Sequence, residues 1–163
     1  MKHRSVAQAE LRKQERGSIL ATSAIGMLAI LLAVGLGVDI SRFYLVKAEL
    51  QNGADAAALA AVSALNGAPA GINRAVQEAT VNTINKYDFN NTGITISNIE
   101  FSANLENGYM PAQAAKSAGT VNTIRFVRVT TAPSAVAVSF AAVVLGSSKN
   151  LTATATEIGR AHV

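Results

Sequence analysis

From Gly17 to Val38 the chain reads GSILATSAIGMLAILLAVGLGV, with no charge, no proline and no amide side chain. As a helix, these 22 residues span roughly 33 Å at about 1.5 Å per residue, close to the ~30 Å hydrocarbon core of a bilayer. No polar face interrupts the run. Ser18, Thr22 and Ser23 fall in its first two turns, where a hydroxyl can bond back to the helix backbone. The pattern predicts one membrane-spanning helix. A cleaved signal peptide is the competing reading, with Gly35 and Gly37 as the small residues before a cut at Val38. The apolar run and the charged tail before it are both long for that purpose.

Beyond the span the pattern stays helical to Leu65. Phe43 and Tyr44, beside Arg42 and Lys47, sit where an interfacial aromatic belt belongs. Ala54, Ala57, Ala58 and Ala61 recur at helical spacing as a face of small side chains that lets backbones pack closely. Within the span, Ala29, Ala33 and Gly37 form a similar stripe at every fourth position, a pattern used for helix association in membranes. Asn66-Gly67-Ala68-Pro69 is a helix stop. Residues 70–89 predict a second helix with Ile72, Val76, Ala79, Thr83 and Ile84 on one face, followed by a turn at Asn90-Asn91-Thr92-Gly93.

The remainder alternates as strands do. Ile94 and Ile96, then Ile99 and Phe101, change face near Asn98, which predicts a β-bulge. Residues 105–120 read as a polar loop, Thr123–Thr131 as a second strand, Ser134–Leu145 as a short Ala-rich helix closed by Gly146, and Leu151–Thr156 as a third strand. The fold class is α+β. A tail (1–16), a transmembrane helix (17–38) and a helical stalk (39–66) precede a small extracytoplasmic domain of one helix and three strands (70–156).

Charge orients this plan. Met1–Arg16 holds five basic and two acidic side chains, a net +3 of the whole chain's +4. Asp39, Arg42, Lys47, Glu49 and Asp55 follow the span at net −1. The positive-inside rule therefore puts the tail, read as disordered, in the cytoplasm and everything after the span outside. A basic juxtamembrane tail is not the clustered footprint of nucleic-acid binding. With no cysteine, disulfides, thiolate metal sites and Cys nucleophiles are excluded.

Glu15-Arg16-Gly17-Ser18, the apolar span, Val38-Asp39-Ile40-Ser41-Arg42-Phe43-Tyr44-Leu45 and the Leu50–Ala60 run LQNGADAAALA together resemble the N-terminal module of TadE/TadG-like Flp pilus-assembly proteins. That module pairs an R-G start and a membrane helix with a V-D-x-x-R-x-Y step and an L-Q-x-A-A-D-A-A-A-L-A-A run. Arg16, Gly17, Asp39, Arg42, Tyr44, Gln51 and Asp55 carry the match, which covers residues 15–65; Gly53 stands where the pattern has Ala. The resemblance implies a bacterial inner-membrane protein of the tight-adherence pilus machinery, acting outside the cytoplasm beside other pilus-assembly or pseudopilin proteins. Processed pseudopilins begin G-x-x-x-x-E; here Thr22 occupies the fifth place after Gly17, as in the unprocessed TadG-like branch. The C-terminal order of strand, V-x-V, apolar segment ending L-G, and T-A-T-A-T also resembles the domain after the anchor in TadG-like proteins. Residues 157–163 leave that pattern abruptly and read as a non-native tail on a truncated fragment.

Candidate chemistry is sparse. Gly35-Leu36-Gly37 lacks the third glycine of a dinucleotide loop, since position 40 is Ile. Asp39-Ile40-Ser41-Arg42-Phe43 approaches the D-x-S-x-S metal signature of von Willebrand factor A-type domains but ends in Phe43; Asp39 reads better as the end of the span, paired with Arg42 one turn on. His3 and His162 lie in the two tails, and Glu78, Asp88, Glu100 and Glu106 are dispersed. The expectation is a non-enzymatic, cofactor-free, single-pass structural or assembly protein, oligomerising through the small-residue faces. The alternative is the anchor and stalk of a larger envelope adhesion protein with a von Willebrand-type domain beyond the fragment.

Overall fold

The computed structural model describes residues 3–81, 86–87 and 92–160. Two compact units divide the chain, Met1–Ser41 with Val138–Ser147, and Arg42–Ala137 with Ser148–Val163.

Helix α1 runs from His3 to Ser63. It begins well before the predicted span, so the tail expected to be disordered is helical from His3. Residues 3–16 contain no glycine or proline and include Ala7, Ala9, Leu11 and Gln14, all strong helix formers. From Ser18 to Val34 every residue is exposed, among them Leu20, Met27 and Leu31. An apolar helix without a polar face or a protein covering suits a lipid solvent. Of the three hydroxyls in the first turns of the span, Thr22 Oγ1 bonds back to the helix, donating to the Ser18 carbonyl at 2.9 Å; past the span, Ser41 Oγ does the same to that of Gly37 at 2.8 Å.

The second unit is built on the later turns of α1. Asn66 and Gly67 end the helix: the Asn66 Oδ1 accepts from the Ala68 N–H at 3.1 Å, and Gly67 takes a left-handed φ of 72°. Helix α2 spans Pro69–Val81 and buries Gly71, Ile72, Ala75 and Ala79. It is shorter than the predicted 70–89. Lys86–Tyr87 (β1) pairs antiparallel with Thr92–Gly93 (β2), so Lys86 and Tyr87 of the predicted helix and Thr92 and Gly93 of the predicted turn form a strand ladder. Thr83 and Ile84, expected on the helix face, lie outside the described residues.

Strands β3 (Ile96–Ser102), β4 (Met110–Pro111), β5 (Phe126–Thr131) and β8 (Thr154–Ile158) form the main sheet. It is antiparallel, ordered β4-β3-β5-β8. Its register slips between Ile96 and Asn98, where the alternation predicted a bulge. Two predicted spans need correction. The polar loop 105–120 contains β4 and a short helix α3 (Ala112–Ser117). The predicted helix 134–145 is instead strand β6 (Ser134–Ala137), paired with β7 (Ser148–Leu151), around a single helical turn α4 (Ala142–Leu145). Val136 and Val138 are buried while Ala135 and Ala137 face out, a period of two rather than 3.6. Leu151 therefore closes β7, and β8 carries its pairing through Glu157 and Ile158, past the boundary drawn at 156.

The core joins Val46, Leu50, Ala54, Ala57, Ala58, Ala61, Ile72, Phe101, Val127 and Val129 in one cluster. The small-residue face of the stalk is thus spent inside the unit: Ala54, Ala57, Ala58 and Ala61 are each fully buried. That corrects the expectation that they offer a lateral contact to another chain. Gly53 belongs to the same packing. A Cβ there would meet Ile94 Cδ1 at 2.8 Å and Cγ2 at 3.2 Å. A Gly→Ala change in a helix is otherwise worth about 0.8–1 kcal/mol. Gly53→Ala alone should gain only a fraction of that, whereas in an Ile94→Val background, lacking Cδ1, it should gain about 1 kcal/mol. A double-mutant cycle in urea that shows strict additivity would refute this reading of Gly53.

Candidate functional site

Two arrangements involve residues of the D-x-x-R-x-Y and L-Q-x-x-A-D steps. In the first unit, Asp39 sits one turn above Gly35 on α1 and is 1% exposed. Its carboxylate faces the segment that leads into α4. Oδ1 accepts from the Ser139 N–H at 3.0 Å, and Oδ2 from those of Phe140 and Ala141 at 2.8 Å each. Helix starts leave such N–H groups without intrahelical partners, and a carboxylate there is favoured by both hydrogen bonding and charge. The segment closes on itself through α4, with the Leu145 and Gly146 N–H groups donating to the Ala141 and Ala142 carbonyls at 2.9 Å. Gly35 completes the clasp: the Phe140 side chain occupies the place a Cβ at position 35 would take. A side chain larger than hydrogen at 35 would push Phe140 away and drag its amide off Asp39.

The second arrangement lies within the other unit. Gln51 Nε2 donates to the Thr154 carbonyl at 3.2 Å and to Asp55 Oδ1 at 2.9 Å. Lys47, one turn earlier, donates through Nζ to the Thr152 carbonyl. Four residues of helix rise about 6 Å and two residues of extended chain about 6.7 Å, so successive turns meet alternate carbonyls of the stretch that leads into β8. Thr131 ties the same stretch from the other side: its N–H donates to the Ala153 carbonyl and its Oγ1 accepts from the Ala153 N–H, both at 2.9 Å. Ala153 and Ala155, buried between these polar positions, add no bulk. The Ala-Thr alternation of T-A-T-A-T and the Gln and Asp of the stalk are thus two sides of one contact.

Residues 17–64 match the family model described as "Putative Flp pilus-assembly TadE/G-like". The chain carries a TadE/G-like segment. Neither a curated protein nor a solved structure matches it. The TadE/G-like segment covers α1 from Gly17 to one residue past its end. It includes Asp39, which accepts from the Ser139, Phe140 and Ala141 amides beyond the segment, and Gln51, which donates to the Thr154 carbonyl beyond it.

The remaining predicted positions are dispersed along α1. Ala29, Ala33 and Gly37 are exposed, with nothing within 4 Å of where a Gly37 Cβ would sit. Tyr44 is 75% exposed, and Arg42 is half-buried. The Arg16 side chain and the surroundings of Gly17 lie outside what is described. Sequence reasoning singled out Gly35 and Lys47 only for other roles, and did not point to Thr131, Ser139 or Phe140 as contacts. The one available signal was the Ser139-Phe140 step, which interrupts the valine alternation where the strand ends.

Proposed function

We propose that this chain is a single-pass, non-catalytic component of a bacterial Flp pilus-assembly system. It is anchored in the inner membrane with residues 1–16 in the cytoplasm and residues 39–163 in the periplasm. The match of residues 17–64 to the TadE/G-like family carries the reading. It is supported by α1, which is long and apolar enough to cross a membrane and is exposed on every side from Ser18 to Val34. The concentration of positive charge before the span sets the orientation. The span fixes the protein in the bilayer, and the α+β unit is displayed to the other assembly proteins. With the stalk alanines occupied in their own core, lateral contact falls to the exposed stripe Ala29, Ala33 and Gly37, where another helix can approach closely.

A reporter enzyme active only in the periplasm, fused after Thr156, should be active, and the protein should stay with membranes through alkaline carbonate. Activity only when the reporter is fused at the N-terminus would reverse the topology. Release by carbonate would remove the anchor altogether. Ala33→Leu should at least halve cross-linking between copies or to partner helices in native membranes. Unchanged cross-linking would rule out the stripe as the contact.

A further inference from the structure

We propose that the Phe140–Leu145 segment enters the outer boundary of the bilayer as a second point of membrane contact. The inference rests on the reading of α1 as the span. From Phe140 to Gly146 the chain reads FAAVVLG, without one polar side chain. Its depth is set by what it touches. Phe140 packs on Gly35, inside the uncharged run that ends at Val38, and the three amides before α4 bond to Asp39 one turn above. A segment held at Gly35 lies about 4–5 Å below the end of that run, at 1.5 Å per residue. This is the level where lipid headgroups give way to acyl chains.

Three features suit the segment to that level. Phe140 is 54% exposed and Leu145 38% exposed, so apolar surface continues outward from the exposed Leu32, Leu36 and Val38 of α1. A continuous apolar surface that borders a span is most simply covered by the same lipid. Backbone polar groups exclude most irregular segments from lipid, because each unsatisfied N–H costs several kcal/mol there. Here Asp39 satisfies the amides of Ser139, Phe140 and Ala141, and the α4 turn bonds its own end. Asp39 in turn is shielded by those donors, which makes a carboxylate tolerable at the edge of the hydrocarbon. The charge at the end of the span is therefore a device for holding an apolar turn against the membrane.

The chain has no tryptophan, so a single introduced indole reports its own surroundings. Leu28→Trp marks the middle of the span, Phe140→Trp and Leu145→Trp the proposed contact, and Leu105→Trp an exposed position on a polar loop. Each full-length variant is reconstituted in phosphatidylethanolamine–phosphatidylglycerol vesicles carrying bromine either high or low on the acyl chains. Fluorescence of the Leu28→Trp variant should be quenched by the deep bromines. The Phe140→Trp and Leu145→Trp variants should be quenched by the shallow ones, at least twofold more than the Leu105→Trp variant, whose indole aqueous acrylamide should reach instead. If the span indole is quenched while both contact indoles behave like the loop indole, the segment lies in water and the proposal is wrong, with the anchor intact. If the contact indoles are shielded from both bromine and acrylamide, protein covers them, a second copy's helix being the first candidate, and the proposal is again wrong. An unquenched indole at position 28 overturns the span itself. Leu145→Trp keeps the test alive should an indole at position 140 disturb the contact with Gly35.

Discussion

Phe101→Ala should cost the α+β unit about 4–5 kcal/mol, at the upper end of the range for removing a buried aromatic ring. Phe101 is fully buried and is the largest such side chain among the described residues. It lies on the central strand β3, opposite Val127 of β5 and Met110 of β4. The cost depends on whether neighbours can collapse into the space left. Nine of the 22 buried apolar residues described are alanines, which have no side-chain rotamers with which to refill it. Domains of this size hold a margin of about 5–15 kcal/mol in total, so the variant should lose much or all of its margin. Urea titration of the full chain in detergent, followed by proteolysis of the sheet, reads the shift. Leu105→Ala, at a position 55% exposed, is the matched control and should move the midpoint by less than about 0.5 kcal/mol. A small effect at Phe101 would mean that the alanine-rich core relaxes far more than close packing allows.

The same alanines show what a sequence can and cannot disclose. Their helical spacing predicted a face that brings backbones together, and Ala54, Ala57, Ala58 and Ala61 do lie in tight packing. Spacing says nothing about whose backbone approaches, and the partner proved to be the rest of the same unit. The apolar span and the bulge near Asn98 were legible because each is a local pattern of polarity. Strand β4 was not, since two residues of pairing inside a polar loop have no period to detect. Strand β6 was misjudged because Ala135 and Ala137, small and weakly polar, blurred the alternation of Val136 and Val138 into an apolar run. Of the two arrangements in the candidate site, the positions on α1 were visible as motif residues. Their partners were hidden by distance along the chain: Gln51 reaches 103 residues ahead to Thr154, and Asp39 reaches 100 ahead to Ser139, at the turn before α4.

Asp39→Ala should free the 138–147 segment while leaving the sheet standing. Three N–H donors lose one shared acceptor in a place where the carboxylate is 1% exposed, so water replaces it poorly. Hydrogen bonds to a charged group are worth about 1.5–3 kcal/mol each, but the three share one carboxylate and are not additive. A local loss of about 2–3 kcal/mol follows, which corresponds to roughly 30–150-fold faster hydrogen exchange at Ser139, Phe140 and Ala141. Asp39→Asn separates charge from geometry. Its single oxygen can replace Oδ1 at Ser139 or Oδ2 at Phe140 and Ala141, but not both, and its amide then faces an N–H. Exchange should rise by an intermediate factor, with the three amides no longer moving together. Gly35→Leu attacks the clasp from the other side, displacing Phe140 with the carboxylate untouched, and should expose the same amides. Amides of β3 and β5 should keep their protection in all three variants. A rise in exchange spread evenly over the sheet would instead make Asp39 a general determinant of stability, and its role as the holder of one apolar turn would be lost.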